Sequence, residues 1–340
     1  MTYTEFSMIG LNPILQAYFP ESTIKAGESV SGGLINDTYR VKLDDGRDFI
    51  LQRLNTGVFE NVASILSNAE KVGMHLRANG YAYEFPIPTK TWKGKNHHVS
   101  GNEFWRVLPY IPNSYSTQKV RSNEMAKNAG KCLGHFHAKT SGLDLAQIAI
   151  TIPHFHSGKF RVEQFENSVL GSNRDGAPLV KEVSKHLQLL HDWDEICMSV
   201  PTRVAHFDTK IENFLFKNGT EEVAALVDLD TLMPGSILSD VGDMIRSFSD
   251  SGYSEESTLA FPRLEYRDAL IAGYLSEMNN HITEEERGLL KFSGSVITLM
   301  QSLRFLTDHL NGNVYYQIEY EGQNLERAEH QFTLYQGLNS

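Results

Sequence analysis

The sequence predicts an α+β protein with a β-rich lobe over residues 1–112 and a mostly helical lobe over residues 113–340. In the first part, short strand-like segments alternate with glycine-containing turns. In the second part, apolar residues recur at helical spacing over long segments. A chain of 340 residues is long enough for two such units, each with its own core. The run Pro109-Tyr110-Ile111-Pro112 separates the two patterns, and its prolines would stiffen a linker there.

The composition is that of an ordinary globular protein, with 41% hydrophobic and 21% charged residues. The net charge of -11 argues against nucleic acid as a main partner. Two cysteines, Cys132 and Cys197, do not make a disulfide framework, which favours a reducing setting. The N-terminus lacks the pattern of a signal peptide, and no stretch approaches the roughly 18 apolar residues of a membrane span. We therefore expect a cytoplasmic protein without nucleic-acid or membrane partners, and the sequence leaves its oligomeric state open.

The elements of the first lobe follow from alternating patterns and glycine stops. We predict a short helix within residues 1–20, a helix over 61–79, and strands over 24–30, 38–43, 49–54, 87–92 and 104–110. The turn between the first two strands contains Gly32, Gly33 and Asn36 and leads to Thr38. Backbone N–H groups of such a turn can bind phosphates. An ordinary β-hairpin looks the same, so this turn is a candidate nucleotide site only together with the motif described below.

The second lobe is predicted from helical periodicity. We expect helices over 118–139, 160–170, 176–197, 258–279, 284–310 and 324–337. Arg304 lies beside the apolar stripe of the helix 284–310, and it either pairs with Asp308 one turn on or faces a polar pocket. His135 and His137, two residues apart on a helix, point to opposite sides and cannot bind one ion together. They are interpreted as packed or surface histidines.

Residues 203–246 carry the chemistry on which the functional interpretation depends. A short apolar strand leads to Asp208, and Asn213 follows five residues later. The Asn-Gly pair at 218–219 predicts a two-residue hairpin turn, and the returning strand ends at Asp228. This places one candidate base and two oxygen ligands for a hard cation at the same end of a hairpin, which is the set that phosphoryl transfer needs. Ordinary turns also use Asp and Asn, but the complete pattern is more specific than any of its parts.

Protein kinases have the same residue types at this spacing. Their catalytic loop reads H-R-D-x-x-x-x-N, and a later Asp holds metal. His206, Asp208, Asn213 and Asp228 correspond to these residues. By this comparison Asp208 is the catalytic base, Asn213 and Asp228 hold Mg²⁺, and Lys210 contacts the γ-phosphate of ATP.

The strand lysine of protein kinases has no counterpart in the third predicted strand. That lysine normally pairs with a helix glutamate, for which Glu70 is the candidate, although a solvated helix face explains Glu70 equally well. Alternation puts Gln52 and Arg53 on opposite faces, so either one of them or the backbone must face the phosphates. Gln52 is in phase with Ile50 and Leu54, and we predict that it occupies the lysine position.

The chain resembles the aminoglycoside phosphotransferase-like kinases, small-molecule relatives of protein kinases, over nearly its whole length. Within this family it is most similar to the N-acetylhexosamine 1-kinase branch. The matching stretches are GGLINDTYRV (32–41), FILQRLNTGVF (49–59), EFWRVLPYI (103–111), HFDTKIENFLF (206–216), VDLDTLMPGSILSDVGDMIR (227–246) and FSGSVITLMQSLRFLTDHLNGNVYY (292–316). The forms D-T-K-x-x-N and D-L-D-T-x-M-P-G-S are narrower than the general pattern and favour that branch. One departure is Leu34, where the family's loop has a histidine.

The resemblance implies a protein-kinase-like bilobal fold with a nucleotide cleft between the lobes. It also implies ATP as co-substrate, Mg²⁺, and phosphorylation of the anomeric hydroxyl of N-acetylglucosamine or N-acetylgalactosamine. It places Arg304 and Tyr315 near the sugar. Asp230, two residues beyond Asp228, is expected either to bind a ring hydroxyl or to belong to a turn. The nucleotide-binding candidates are Gly32, Gly33, Asn36, Thr38, Gln52, Glu70 and, with backbone groups at the adenine edge, Pro109, Tyr110 and Ile111.

Two other functions stay open at this point. One is a kinase of another small molecule, such as an aminoglycoside, choline, homoserine or a thio-sugar. The other is a catalytically dead nucleotide-binding scaffold, for which the missing strand lysine is an argument. The intact Asp208, Asn213 and Asp228 argue against the scaffold.

Overall fold

A computed structural model of the chain describes residues 9–30, 36–57, 61–172, 174–252 and 261–340. Gly32 and Gly33, the predicted phosphate-binding glycines, lie outside the described residues, as does Leu34. Within the described ranges, none of the helices combines the length and the hydropathy that a membrane crossing requires.

The first lobe is built on one antiparallel sheet of five strands in the order β1-β2-β3-β5-β4. A single long helix, α2, connects β3 to the segment before β4, and its N-terminus is capped by Asn61, whose side chain accepts from the Ser64 N–H at 3.1 Å. The elements are α1 (Asn12–Gln16), β1 (Ile24–Ser29), β2 (Asp37–Leu43), β3 (Asp48–Leu54), α2 (Val62–Ala78), β4 (His98–Ser100) and β5 (Glu103–Pro109).

Strand alternation gives this sheet two different faces. On one face, Leu51 packs in an apolar cluster with Tyr18, whose hydroxyl donates to the Trp105 carbonyl at 2.6 Å. On the other face, Leu54 packs against apolar residues of α2. Gln52 is in phase with Leu54 and therefore lies on the α2 side, as the sequence predicts.

The prediction of a strand over residues 87–92 is wrong. Pro86 and Pro88 have no N–H to donate to a neighbouring strand, so this segment runs as irregular chain, although Thr89 N still donates to the Val107 carbonyl at 2.8 Å. The edge of the sheet is formed instead by the short strand β4, which pairs with β5.

The second lobe is mostly helical, and its described residues also form a two-stranded sheet and a three-stranded sheet around the predicted catalytic stretch. Its elements are β6 (Ser114–Tyr115), α3 (Asn123–Thr140), α4 (Gly158–Gly171), α5 (Ala177–Ser184), α6 (Leu187–Ser199), β7 (Arg203–Ala205), β8 (Phe214–Lys217), β9 (Val223–Leu226), β10 (Met233–Gly235), α7 (Ile237–Ser249), α8 (Leu264–Met278), α9 (Glu284–Leu310) and α10 (Gln323–Leu338).

Local signals explain where these elements differ from the prediction. α3 begins later than expected because Ser122 caps it, accepting from the Met125 N–H at 3.0 Å. The helix expected over 176–197 is two helices, α5 and α6. The connection between β8 and β9 is longer than two residues: it runs over 218–222, with Gly219 in the left-handed region at φ +75°.

Glycines allow the central helices of the second lobe to approach closely. A Cβ on Gly130 of α3 would lie 2.1 Å from the Leu270 carbonyl oxygen of α8. A Cβ on Gly242 of α7 would lie 2.6 Å from the Ser293 carbonyl oxygen of α9. This packing fixes the position of α7, whose Asp240 lies under the predicted catalytic loop.

Candidate active site

The loop between β7 and β8 is anchored from below by Asp240. This buried carboxylate accepts from the backbone N–H groups of His206 and Phe207, each at 2.7 Å, and it is 2.9 Å from His137 Nε2. Phe207 has φ +64°, a conformation that costs a non-glycine residue about 1–2 kcal/mol and persists only where the surroundings hold it. The residue that follows this strained position is Asp208.

Asp208 is held at a fixed position by two partners from its own loop. Its carboxylate accepts from Lys210 Nζ and from Asn213 Nδ2, both at 2.9 Å, and Asn213 Nδ2 also donates to the Asp208 carbonyl at 2.7 Å. Burial acts to raise the pKa of Asp208, but the Lys210 charge and these hydrogen bonds outweigh it and hold that pKa below its usual range. The group is therefore ionised at neutral pH and able to accept a proton.

Asp228 lies next to this loop. The Val227 N–H donates to the Asn213 carbonyl at 2.9 Å, and the His206 ring lies 3.0 Å from the Val227 carbonyl, so the turn that carries Asp228 is tied to the catalytic loop. Asp228 has φ +62° and is accessible to solvent. Partial desolvation by the surrounding chain, followed by the carboxylates of Asp230 and Asp208, raises its pKa to about 7.

The donor chemistry beside Asp208 fits a hard divalent cation. Asn213 uses its side-chain nitrogen on Asp208, which leaves its side-chain oxygen for a cation, and Asp228 supplies a solvent-accessible carboxylate. No group of three or more His, Cys, Asp or Glu residues suited to a metal occurs in the part of the chain that the structure describes. Such a cation would therefore take its other ligands from phosphate oxygens and water, as Mg²⁺ does in nucleotide sites.

On the first-lobe side, Gln52 lies in a polar network. Its side chain donates to Thr38 Oγ1 at 3.0 Å and accepts from Arg106 Nε at 2.8 Å. Arg53 points to the opposite face, where it pairs with the partly exposed carboxylates of Asp37 and Glu103. Of the two residues considered for the lysine position, Gln52 is thus the one on the inner face.

Glu70 does not make the ion pair that a kinase helix glutamate makes with strand β3. Its carboxylate is 2.5 Å from Lys90 Nζ and accepts from Asn96 Nδ2 at 2.7 Å. Both partners belong to the irregular chain between α2 and β4, so the observed role of Glu70 is to fix that segment.

The remaining nucleotide candidates lie at the junction of the lobes. Pro109 is the last residue of β5, and Tyr110 carries the Arg40 guanidinium 3.9 Å above its ring. The Ile111 carbonyl accepts from Ser114 Oγ at 2.8 Å, and β6, which begins at Ser114, already pairs with β8 of the second lobe.

Asp230, predicted as a turn residue or sugar ligand, is buried against the first lobe. It forms a salt bridge with Arg106 and accepts from Asn36 Nδ2 at 2.9 Å. Arg106 is a site residue that sequence reasoning missed. The signal was a lone arginine in an otherwise apolar strand, WRVL, and it says nothing by itself about a partner far along the chain.

Arg304 and Tyr315, which the sequence resemblance places near the sugar, lie close to each other. Arg304 does not pair with Asp308: it donates to Gln301 Oε1 at 3.0 Å, and its guanidinium lies 6.0 Å from the Tyr315 ring centroid. Asp308 instead accepts from the Tyr315 N–H at 2.7 Å and so positions the loop that carries this tyrosine.

An aromatic bridge connects Arg304 to the catalytic loop. The guanidinium lies 5.2 Å from the Phe155 ring, and Phe155 and His156 both make edge contacts with Phe207, the neighbour of Asp208. Burial, followed by the charges of Arg304 and two other arginines, lowers the pKa of His156 well below its usual range. Arg304 is therefore connected through Phe155 to Phe207, the residue that precedes Asp208.

Asp243 is a further carboxylate near Asp208 that sequence reasoning missed. Asp243 of α7 is 2.8 Å from Arg246, yet its Oδ2 is buried without a hydrogen-bond partner in the described structure. Burial raises the pKa of Asp243 in spite of Arg246, and the Asp208 carboxylate adds to that rise. The D-x-x-D spacing of Asp240 and Asp243 on an amphipathic helix was the available signal.

Comparisons with known proteins agree with this architecture. Residues 27–284 match the phosphotransferase enzyme family. The aminoglycoside phosphotransferase from Alicyclobacillus acidocaldarius superposes with a TM-score of 0.63 at 14% identity, covering 96% of this chain and 94% of that chain. Spectinomycin phosphotransferase, solved with ADP and spectinomycin, gives 0.63 at 13% identity over 99% and 97%. Amicoumacin kinase, solved with AMP-PNP and Ca²⁺, gives 0.62 at 13% identity over 97% and 93%.

These likenesses confirm the predicted protein-kinase-like fold, with its antiparallel sheet in the N-terminal part and helices in the C-terminal part. The family match spans about three quarters of the residues. The chain therefore belongs to the phosphotransferase enzyme family.

Proposed function

We propose that this protein is an ATP- and Mg²⁺-dependent kinase that phosphorylates the anomeric hydroxyl of an N-acetylhexosamine, giving the sugar 1-phosphate and ADP. The observation that carries the proposal is the ionised Asp208 carboxylate, fixed by Lys210 and Asn213 beside Asp228. Two proteins of the same fold were solved with adenine nucleotides, one of them together with a divalent cation.

Each side chain of the loop has a role in this reaction. Asp208 orients the attacking hydroxyl and accepts its proton, and Lys210 neutralises charge on the transferred phosphoryl group. Asn213 and Asp228 would hold Mg²⁺, which supplies positive charge to the phosphate oxygens when bound. The anomeric hydroxyl suits a carboxylate base because the ring oxygen makes it more acidic than other sugar hydroxyls.

The nucleotide would lie against the first lobe. Its phosphates would face the polar inner side of the sheet, and Gly32 and Gly33 stay phosphate-binding candidates on the sequence alone. Backbone groups at the junction of the lobes would bind the adenine edge. The nucleotide-facing residues of this proposal are Asn36, Thr38, Gln52, Pro109, Tyr110 and Ile111, whereas Glu70 is left out because its carboxylate is engaged with Lys90 and Asn96.

The charges on the acceptor side favour a neutral substrate over a cationic one. Arg304, Arg161 and Arg246 all act on the buried His156 ring, which lies beside the catalytic loop. Among the described residues, neither Arg304 nor Arg161 forms a salt bridge with a carboxylate. These two arginines would disfavour a cationic group placed directly against them, such as that of choline or an aminoglycoside.

A neutral amino sugar derivative fits the same residues well. Arg304 presents hydrogen-bond donors for a hydroxyl or an acetamide oxygen, and the Tyr315 ring offers a flat apolar surface for a sugar ring. The unpartnered oxygen of Asp243 is a buried acceptor that a ring hydroxyl would satisfy. Such a pocket rejects analogues that lack the matching hydroxyl, because its own groups are then left unpaired.

A substrate panel with coupled ADP detection tests the proposal. We expect turnover with N-acetylglucosamine or N-acetylgalactosamine and a phosphorus NMR spectrum that assigns the product as the 1-phosphate. The matched control is the methyl glycoside of the same sugar, whose anomeric oxygen is blocked and which should be inert. Equal turnover of the methyl glycoside would show phosphorylation at another hydroxyl and refute the 1-kinase assignment.

Thermal shift measurements separate the alternative substrates. In the presence of Mg²⁺ and AMP-PNP, a compound that binds only the folded protein raises the melting temperature. A shift with choline or an aminoglycoside, and none with an amino sugar, would overturn the substrate class. If the protein binds Mg²⁺-AMP-PNP but releases no ADP with any compound of the substrate panel, the result favours a nucleotide-binding scaffold.

A further inference from the structure

A buried ion pair joins the two lobes at the site. Arg106 of β5 and Asp230, which follows β9, are 3% and 2% exposed. The contact is a two-pronged one: Arg106 Nη2 donates to Asp230 Oδ2 at 3.0 Å and Nη1 donates to Oδ1. Gln52 and Asn36 complete the set, since Gln52 accepts from Arg106 Nε and Asn36 donates to Asp230. Two first-lobe residues, Arg106 and Asn36, thus bind one carboxylate of the second lobe, and Gln52 orients the arginine.

This pair is not explained by stability alone. Removing two charges from water costs several kcal/mol, so a buried ion pair is often no more stabilising than apolar residues of the same size. The geometry, in contrast, has a direct consequence for the site. Asp230 belongs to the single helical turn Leu229–Thr231 that begins directly after Asp228, so fixing Asp230 fixes the backbone that orients Asp228.

The pair also stands where the strand lysine is missing. Gln52 and Arg106 are direct partners in the register of β3 and β5, so the arginine lies one strand away from the lysine position and on the same face. Glu70, the usual partner of that lysine, is engaged with Lys90 instead. The positive charge on this face of the sheet therefore connects to the second lobe rather than to α2.

We propose that Arg106 and Asp230 are positioning residues that hold the Asp228 turn against the first lobe and so set the affinity for Mg²⁺-nucleotide. This role rests on the proposed kinase function and adds to it. It assigns the Asp230 carboxylate to a contact between the lobes rather than to the sugar.

The test compares single variants that remove one charge of the Arg106–Asp230 pair with a double variant that replaces both residues by apolar ones. Arg106→Met and Asp230→Leu each leave one buried charge unpaired and should lower the melting temperature. The double variant places two apolar side chains together, so its melting temperature should return toward wild type. The dissociation constant of Mg²⁺-AMP-PNP, measured by calorimetry, should nevertheless stay roughly 10- to 100-fold higher than in wild type in the double variant. This is the range for losing the support of a metal ligand. The Mg²⁺ concentration for half-maximal turnover should rise with it.

Arg53→Met is the matched control, since Arg53 lies on the opposite face of the same sheet in partly exposed ion pairs. It should keep wild-type nucleotide affinity. Should the double variant fail to fold, Asp230→Asn, which keeps the shape and loses the charge, should weaken the affinity in the same direction. Wild-type affinity and Mg²⁺ requirement in the folded double variant, or in Asp230→Asn, would overturn the positioning role. Wild-type protein that binds no Mg²⁺-AMP-PNP would instead refute the proposed kinase function, and the positioning role with it.

Discussion

Asp240→Asn is the substitution that most directly tests how the catalytic loop is held. The Asp240 carboxylate makes three hydrogen bonds: Oδ1 accepts from Phe207 N, and Oδ2 accepts from His206 N and lies 2.9 Å from His137 Nε2. Because a carboxylate only accepts, all three partners are donors. An amide has one acceptor oxygen and an NH₂ group, so at least one donor must face another donor.

The magnitude follows from that count. A buried donor left without a partner costs about 1–3 kcal/mol, and we expect the free energy of unfolding of Asp240→Asn to fall by that amount. Phe207 would also lose part of the restraint that keeps it at φ +64°. Because Asp208 follows Phe207 directly, relaxation there displaces the base, and a displacement of about 1 Å is enough for roughly a hundredfold loss of kcat.

Urea unfolding followed by tryptophan fluorescence gives the stability, and coupled ADP release gives kcat. The control is Asp192→Asn, because Asp192 is an exposed carboxylate of α6 that accepts only from Gln188, and surface changes of this kind stay within about 0.5 kcal/mol. Wild-type stability in Asp240→Asn would refute the hydrogen-bond argument. Reduced stability with unchanged kcat would show that Asp240 does not position Asp208.

Three further predictions follow from the same structure. Asp208→Asn should lower kcat by roughly two to four decades while calorimetry still detects Mg²⁺-AMP-PNP, since it removes the base and leaves the nucleotide contacts. Burial and the Arg304 charge lower the pKa of His156 from 6.5, so the folded protein favours the neutral ring. The free energy of unfolding should therefore be highest above pH 6.5 and fall as the pH drops below that value, because the unfolded chain then binds the proton more readily. Unfolding titrations at roughly pH 5.5 and 7.5 should show a weaker pH dependence in His156→Phe, by up to about 1.4 kcal/mol per pH unit. Gly130→Ala should cost about 1–3 kcal/mol or more because its Cβ meets a carbonyl oxygen, whereas Gly288→Ala, in open space on α9, should gain up to about 1 kcal/mol in the same urea assay.

The parts of the site that could be predicted from the sequence are those fixed by short-range geometry. Asp208 and Asn213 are five residues apart in one loop, and a single hairpin brings Asp228 back beside them. Strand alternation likewise settles the side of Gln52, because a strand has only two faces. These relations depend on the local chain and need no knowledge of how the lobes meet.

The interactions that could not be predicted are the ones that link distant parts of the chain. Arg106 and Asp230 are 124 residues apart, and the sequence around either residue does not indicate that the other is its partner. Asp240 was visible only as one carboxylate on an amphipathic helix, and its partners come from a loop more than 30 residues earlier. The strand predicted over 87–92 does not form for a local reason, because Pro86 and Pro88 have no N–H to donate to a neighbouring strand.

Net charge illustrates the same limit for substrate choice. A charge of -11 would by itself suit a cationic acceptor, yet Arg304, Arg161 and Arg246 all lie close enough to lower the pKa of His156 at the catalytic loop. Exposed charges farther away than a Debye length of about 8 Å are largely screened at physiological salt, whereas buried ones are screened much less. A substrate approaching Asp208 is therefore influenced by the charges close to it, which include Arg304 and Arg161 as well as the carboxylates of Asp228 and Asp243, more than by the sum over the surface. For this reason the residues around Asp208, and not the net charge of the chain, are the better guide to the charge of the acceptor.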